Sequence, residues 1–132
     1  MATIFSRIIN REIPAHIVAE DDQCIAFLDI NPLTKGHTLV VPKTEVDYLF
    51  ELEEDLYLHL HKFARKVAKG IEGVVSCNRI AVAVLGMEVP HAHIHLVPIN
   101  REGDLNFKNP RVQLSEDELS QLTSDINKAV VL

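Results

Sequence analysis

The most informative part of this 132-residue chain is the segment His91-Ala92-His93-Ile94-His95-Leu96-Val97-Pro98. Side chains alternate between the two faces of a β-strand, so the three histidines would share one face, at intervals of roughly 7 Å. The apolar side chains between them would point to the other face, where they fit packing against helices. The segment therefore predicts a strand over Val89–Pro98 that carries an imidazole row.

Three interpretations of the imidazole row compete. It can be a polar strand surface that faces solvent and happens to use histidine. It can bind zinc, although the first and third histidines are too far apart for one ion and a further ligand would have to come from elsewhere. It can also carry nucleophilic and phosphate-binding chemistry, because imidazole is a good nucleophile near neutral pH and an N–H donor to phosphoryl oxygens.

Hydrophobic periodicity predicts the elements around this strand. Apolar residues spaced by three and four favour a long helix over about 53–72, with acids early and bases late as the helix dipole prefers. The other predicted elements are a helical turn at Ile4–Ile9, strands at His16–Ala19, Cys24–Asp29, His37–Pro42 and Ile80–Leu85, and a final helix at Ser115–Val130. Strands that pair locally, with one helix crossing over, predict an α+β fold with an antiparallel sheet of about five strands, one long crossover helix and a C-terminal helix.

Composition narrows the class of protein. The net charge of −6 argues against a general nucleic-acid binder, since phosphate backbones reward clustered Lys and Arg. The sequence shows neither an apolar run near the ~20 residues of a membrane span nor a signal peptide, so we expect no membrane partner and a cytoplasmic protein. Cys24 and Cys77 lack the spacing of a metal or redox motif, which favours free thiols in a reducing compartment.

The histidine segment resembles the HxHxHxx signature of the histidine-triad (HIT) superfamily. Further segments resemble the Hint branch of that family in the family's order: Thr3–Ile9, Glu12–Ala15, Glu20–Asp22, Ala26–Pro32 and Gly36–Lys43. The resemblance covers most of residues 3–98, so residues 1–132 are expected to form one HIT-like domain with a C-terminal extension at 99–132.

The resemblance implies a nucleotide-binding hydrolase or transferase that acts at the α-phosphate of a purine nucleoside phosphoramidate or a related nucleotide. His93 would be the nucleophile that forms a nucleotidyl-histidine, His95 would stabilise the phosphate oxygens, and His91 would hold the His93 tautomer through its backbone carbonyl. His37 would complete the pocket, and Asp29 would accept from the ribose hydroxyls. The expected nucleotide-binding set also includes Ile4, Phe5, Ile8, Phe27 and Ile30 around the base, together with Glu88 and Val89.

Three of these roles have a structural alternative. His37, at the start of a strand, could be a solvated edge residue. Asp29 precedes Ile30-Asn31-Pro32 and could simply cap a turn, while Phe5 and Ile8 could be core residues.

The chain departs from the family pattern at two places. Many bacterial members bind a structural zinc through a CxxC and a histidine, whereas this chain has Thr3, Ser6 and Glu45 at those positions, so neither metal nor cofactor is expected. The family usually has Gly-Gln-x-Val before the triad, but this chain has Gly86-Met87-Glu88-Val89. An ionised carboxylate only accepts hydrogen bonds, so the sequence also allows a nucleotide-binding module with little turnover.

Hint-like members form twofold homodimers, so the resemblance implies a homodimer here. The stripe Leu56, Leu60, Phe63 and Val67 on the long helix could serve that interface or the chain's own core, and the sequence leaves both open.

Overall fold

The computed structural model describes residues 2–132, and within that range the chain forms five β-strands and three α-helices. The strands are β1 (Ile17–Glu20), β2 (Cys24–Leu28), β3 (Thr38–Pro42), β4 (Arg79–Ala83) and β5 (Ile94–Ile99). The helices are α1 (Ile4–Ile9), α2 (Glu54–Glu72) and α3 (Glu116–Ala129), with short 3-10 helices at Leu49–Glu51 and Glu102–Asp104. In this part of the chain, no helix is both long and apolar enough to cross a membrane.

The strands form one antiparallel sheet in the order β1-β2-β3-β5-β4. This confirms the predicted α+β fold with a five-stranded antiparallel sheet. The β3–β5 register places Leu39 opposite His95, which brings the histidine segment to the middle of the sheet. Strand β4 is left at one edge.

Helices α2 and α3 cover one face of the sheet. Leu60, Phe63 and Val67 of α2 are buried in the core that also contains Ile94 and Leu96 of β5. The apolar stripe of α2 is therefore used mainly inside the chain, which decides between the two alternatives that the sequence left open.

Helix α3 completes the same core. It begins with a capping box, in which Ser115 Oγ accepts from the Glu118 N–H and the Glu118 carboxylate accepts from the Ser115 N–H. Its apolar side chains, including Leu122 and Ile126, are buried against β1 and α2. The C-terminal extension is thus an integral part of the core.

The other face of the sheet is covered by α1. Phe5 and Ile8 of α1 pack on Phe27 of β2 and on Leu39 of β3 in a second, smaller apolar cluster. Because side chains alternate along β5, His95 lies on this face, whereas its neighbours Ile94 and Leu96 face α2.

The predicted strand Val89–Pro98 is wrong at its start, because β5 begins only at Ile94. Residues 84–93 form an irregular loop instead of pairing with a neighbouring strand. Within it, the His91 N–H donates to the Val89 carbonyl at 2.8 Å and the Ala92 N–H donates to the Val46 carbonyl at 2.7 Å. Within the same loop Gly86, at φ +74°, adopts the left-handed conformation that favours glycine.

Candidate active site

A cleft of about 420 Å³ opens on the α1 face of the sheet, between the loop 84–93 and the segment that follows β5. Six of the predicted site residues line it: Phe5, Asp29, Glu88, Val89, His93 and His95. The structure therefore brings together residues that are up to 90 positions apart, counting from Phe5 to His95.

The remaining predicted residues lie around the cleft without lining it. Ile8 and Phe27 are buried in the cluster beneath Phe5, with the Phe5 and Phe27 ring centroids 5.6 Å apart. Ile4 and Ile30 are 51% and 75% exposed on the surface. The apolar set expected around the base is thus divided between the core and the surface, and only Phe5 borders the cleft.

The hydrogen bond of His93 determines which of its ring nitrogens carries the proton. His93 Nδ1 lies 2.7 Å from the carbonyl oxygen of His91, and a carbonyl only accepts, so Nδ1 carries the hydrogen. In the neutral ring, Nε2 then keeps its lone pair. Within residues 2–132, Nε2 has no hydrogen-bond partner and is not fully buried, so this lone pair is accessible from the cleft.

A second chain of hydrogen bonds orients His95. The Leu33 backbone N–H donates to His37 Nδ1 at 3.0 Å, so the His37 proton is on Nε2. His37 Nε2 in turn lies 3.0 Å from His95 Nδ1 and donates to it. The His95 proton is therefore on Nε2, and the cleft presents an unprotonated nitrogen from His93 beside an N–H donor from His95, with ring centroids 5.0 Å apart.

His91 does not line the cleft; its ring is held from two sides. Its Nε2 donates to the Pro42 carbonyl at 2.8 Å, and its Nδ1 accepts from Thr3 Oγ1 at 2.9 Å. The ring is fully buried. His91 thus meets the cleft residue His93 through its backbone carbonyl, and the two hydrogen bonds of its ring hold that carbonyl in position.

Burial keeps these histidines neutral. It lowers the pKa of His37 to about 4, with a smaller contribution from the nearby Arg111 charge. It likewise lowers the pKa of His95 to about 3, assisted by His93, His37 and Arg111. The pKa values of His91 and His93 are also lowered by burial, despite the carbonyls that accept from them. At neutral pH all four rings therefore have the tautomers given above.

Asp29 has both a turn contact and a position in the cleft. Its Oδ1 accepts from the Asn31 N–H at 2.8 Å, as expected of a turn cap, and its Oδ2 lies 3.7 Å from His37 Nε2. Burial raises the pKa of its carboxyl group, while the Asn31 bond and Arg111 oppose the shift. Ligand atoms of Asp29, His37 and His95 lie within 4.8 Å of one another, but the facing His37 and His95 nitrogens already share a hydrogen bond.

The positions that correspond to the family's structural zinc site form a hydrogen-bonded network. Ser6 Oγ donates to the Glu45 carboxylate, which also accepts from the Thr3 N–H at 3.2 Å. Two hydroxyls and one carboxylate are not the Cys and His set that structural zinc requires, and they satisfy one another here. These residues therefore do not fit a zinc site.

Seven of the residues that line the cleft were not predicted as site residues, and two of them, Phe107 and Arg111, follow the histidine strand. The Phe107 ring packs edge-on against His95 at 4.9 Å between centroids, and the Arg111 guanidinium lies 5.7 Å from the Phe107 centroid. Both belong to the polar segment between β5 and α3, beyond the resemblance. The available signal was an isolated aromatic residue and a nearby arginine in an otherwise polar loop.

Comparisons with known proteins identify the family of this chain. A family model described as the HIT domain matches residues 10–102. An uncharacterized HIT-like protein of Methanocaldococcus jannaschii is 43% identical over 106 residues, covering 76% of this chain and 81% of that protein. The adenosine 5'-monophosphoramidase of Schizosaccharomyces pombe is 32% identical over 133 residues, covering 98% and 99%.

Solved structures share the fold. The crystal structure of a Hit-like protein from Bartonella henselae superimposes with a TM-score of 0.81 at 28% identity, covering 97% of this chain and 96% of that one. Together with the family model and the relatives, this shows that the chain belongs to the HIT family.

Proposed function

We propose that this protein is a nucleotidyl hydrolase or transferase that cleaves a purine nucleoside phosphoramidate, or a related nucleotide, at the α-phosphate. The observation that carries the proposal is the pair of complementary nitrogens in the cleft: an unprotonated His93 Nε2 beside the N–H of His95 Nε2. A nucleophile next to a donor is the arrangement that phosphoryl transfer needs. The 32% identity to a monophosphoramidase supports the phosphoramidate class.

The first step forms a covalent intermediate. The His93 Nε2 lone pair attacks the α-phosphorus, the bond from phosphorus to the leaving amine breaks, and the amine leaves with that electron pair and a proton from solvent. The His93 ring becomes cationic, and the His91 carbonyl, 2.7 Å from Nδ1, stabilises that charge. The N–H of His95 donates to a phosphoryl oxygen.

The second step releases the product. A water molecule attacks the same phosphorus and gives up a proton to solvent, the phosphorus–His93 bond breaks, and the ring recovers its lone pair. The products are the nucleoside monophosphate and free enzyme. A hollow of about 550 Å³ adjoins His93 and is lined by Tyr48, Phe50 and Tyr57, so it offers space for the leaving group.

The test measures release of AMP and GMP from the corresponding nucleoside phosphoramidates by the wild type and by His93→Ala. We expect His93→Ala to lose activity by at least about 10³-fold, because the covalent route is removed. The matched control is His59→Ala, since His59 lies on α2, pairs with the Asp21 carboxylate at 2.7 Å and lines neither the cleft nor the hollow beside His93. Undiminished activity of His93→Ala would refute the mechanism.

The alternative function is nucleotide binding with little turnover, and Glu88 is the observation that favours it. This exposed carboxylate lines the cleft, where it repels a phosphate instead of donating to it. Calorimetry with AMP and GMP, combined with turnover assays, separates the two functions. Tight binding without turnover in the wild type, with turnover appearing in Glu88→Gln, would establish the alternative.

We also propose a homodimer that forms through the edge of the sheet. Val82 is 61% exposed on edge strand β4, and Leu58 is 52% exposed on α2. An exposed apolar edge strand is a natural site for pairing with a second copy. Light scattering should give a mass twice the 14.8 kDa of one chain, and Val82→Lys should lower the measured mass toward that of the monomer. A wild-type monomer would reject the dimer.

The proposal treats residues 1–132 as one HIT-like domain, because α3 contributes to the same core as the sheet.

A cytoplasmic location is proposed as well, and the free thiols at Cys24 and Cys77 support it, because such thiols are typical of a reducing compartment. The preference for purine bases is tested by comparing AMP and GMP with CMP and UMP in the same titrations.

A further inference from the structure

The segment between β5 and α3 forms one wall of the cleft. The Val112 N–H donates to the Pro32 carbonyl at 2.9 Å, which ties the segment to the loop after Asp29. Phe107 packs edge-on against His95 and also approaches His37 at 6.3 Å between centroids. This wall lies outside residues 10–102, which the HIT family model matches.

Arg111 is held in this wall with free donors. Its Nη1 donates to the Asn31 carbonyl at 3.1 Å and its Nη2 donates to the Phe107 carbonyl at 3.3 Å. A guanidinium has five N–H groups, so three remain after these two bonds. Among residues 2–132 no carboxylate forms a salt bridge with it.

The charges that line the cleft are mostly negative, so a cation is needed there to bind a phosphate. Its lining includes the carboxyl groups of Asp29 and Glu88, while the histidines that line it are neutral at pH 7. In the described part of the chain, Arg111 is the single Lys or Arg among the lining residues. A nucleotide phosphate brings a further negative charge, which the neutral imidazole donors do not balance.

From these contacts we propose that Arg111 binds the phosphate of the nucleotide, with its guanidinium oriented by the Asn31 and Phe107 carbonyls and by the Phe107 ring. This inference rests on the proposed function and adds a specificity-determining residue to it. Arg111 makes the site select nucleoside 5'-phosphates over uncharged nucleosides. It supplies the fixed positive charge, and His95 supplies the directed N–H donor.

The test is a titration of two ligands that differ only in the phosphate. Adenosine and AMP are titrated by calorimetry into the wild type, Arg111→Gln, Arg111→Lys and the control Arg101→Gln. Arg101 lies in the same segment, but its side chain is 84% exposed and does not line the cleft. We expect Arg111→Gln to weaken AMP binding about 10- to 100-fold, as loss of charged hydrogen bonds does, and to change adenosine binding less than about twofold.

The Arg111→Lys variant distinguishes the effect of the positive charge on AMP binding from the effect of the two hydrogen bonds that hold the segment. Arg111→Lys keeps the charge but loses the forked contact to the two carbonyls, so it should retain more AMP affinity than Arg111→Gln. If Arg111 only tethered the segment, both variants would be equally impaired and both ligands would weaken together, which would overturn the inference. Unchanged AMP binding in Arg111→Gln would overturn it as well.

The outcome for the wild type keeps the two proposals apart. A wild-type protein that binds neither AMP nor GMP would refute the proposed nucleotide site itself, and the role of Arg111 would fall with it. A wild type that binds and turns over nucleotides while Arg111→Gln does the same would refute only the role of Arg111.

Discussion

Replacing Thr3 by valine should destabilise the protein and disturb the His91 ring. Thr3 is 8% exposed, and its hydroxyl makes three contacts that valine cannot make, of which the one with Ser6 Oγ, at 3.3 Å, is the longest. The other two contacts of this hydroxyl are shorter hydrogen bonds. The hydroxyl accepts from the Ser6 N–H at 3.0 Å as the N-cap of α1, and it donates to His91 Nδ1 at 2.9 Å. Because valine has nearly the same shape, packing is conserved and the loss reports the hydrogen bonds.

The magnitude follows from these two contacts. Loss of an N-cap costs about 1 kcal/mol. A buried acceptor that is left without a donor, here His91 Nδ1, costs about 1–3 kcal/mol. The free energy of unfolding should therefore fall by about 2–4 kcal/mol, if the two losses add.

The assay is urea denaturation followed by circular dichroism, with Thr3→Ser as the matched control. Serine keeps the hydroxyl, so it should retain both hydrogen bonds and most of the stability. Nitrogen chemical shifts of the His91 ring should change in Thr3→Val and stay unchanged in Thr3→Ser. A difference between the two variants below about 0.5 kcal/mol would refute the reasoning, since that lies within the range of an ordinary surface change.

Two further predictions concern pH and packing. Folding lowers the pKa values of His37 and His95 from 6.5 to about 4 and about 3. Below pH 6.5 these two histidines are therefore protonated in the unfolded chain but still neutral in the folded chain. As the pH is lowered from about 6.5 to about 4, the free energy of unfolding should decrease by about 1.4 kcal/mol per pH unit for each histidine. Denaturation at several pH values checks this, and an unchanged slope in His37→Gln would contradict it. Gly70→Ala should destabilise the protein by about 1–2 kcal/mol, because the new Cβ would lie only 3.1 Å from Val130 Cα. The free-energy cost of this overpacking exceeds the gain from the higher helix propensity of alanine. Gly73→Ala, whose nearest contact would be 3.5 Å, should stay within about 0.5 kcal/mol, and equal thermal unfolding of the two variants would disprove the packing argument.

The regular elements could be predicted because their signals are local. The α2 stripe of Leu60, Phe63 and Val67 has helical spacing, and its polar ends match the helix dipole, so the sequence alone indicates both the element and its buried face. Strands β2 and β3 were predicted within one residue at each end for the same reason.

The start of the histidine strand could not be predicted from alternation. His91 and His93 have the spacing of a strand, but the backbone around them bonds to the Val89 and Val46 carbonyls instead of a neighbouring strand. Which backbone groups form ladder hydrogen bonds depends on the register between β3 and β5, and that pairing ends at Val40 with Ile94. Alternation shows which residues share a face without showing where pairing stops.

The contacts that complete the site come from distant parts of the chain. Thr3 and His91 are 88 residues apart, and Arg111 meets Asn31 across 80 residues. Neither pair has a local pattern, because each depends on how α1 and the segment after β5 return to the sheet. The resemblance did identify the bond from His93 to the His91 carbonyl, since that contact lies within the motif itself.

The proton arrangement in the cleft originates in the main chain. The Leu33 amide is a permanent donor, so it determines the His37 tautomer and, one bond further on, that of His95. The identity of the side chain at position 33 is irrelevant to this polarity. Proline, which lacks the amide hydrogen, would remove this donor and leave the two imidazoles free to reverse their direction.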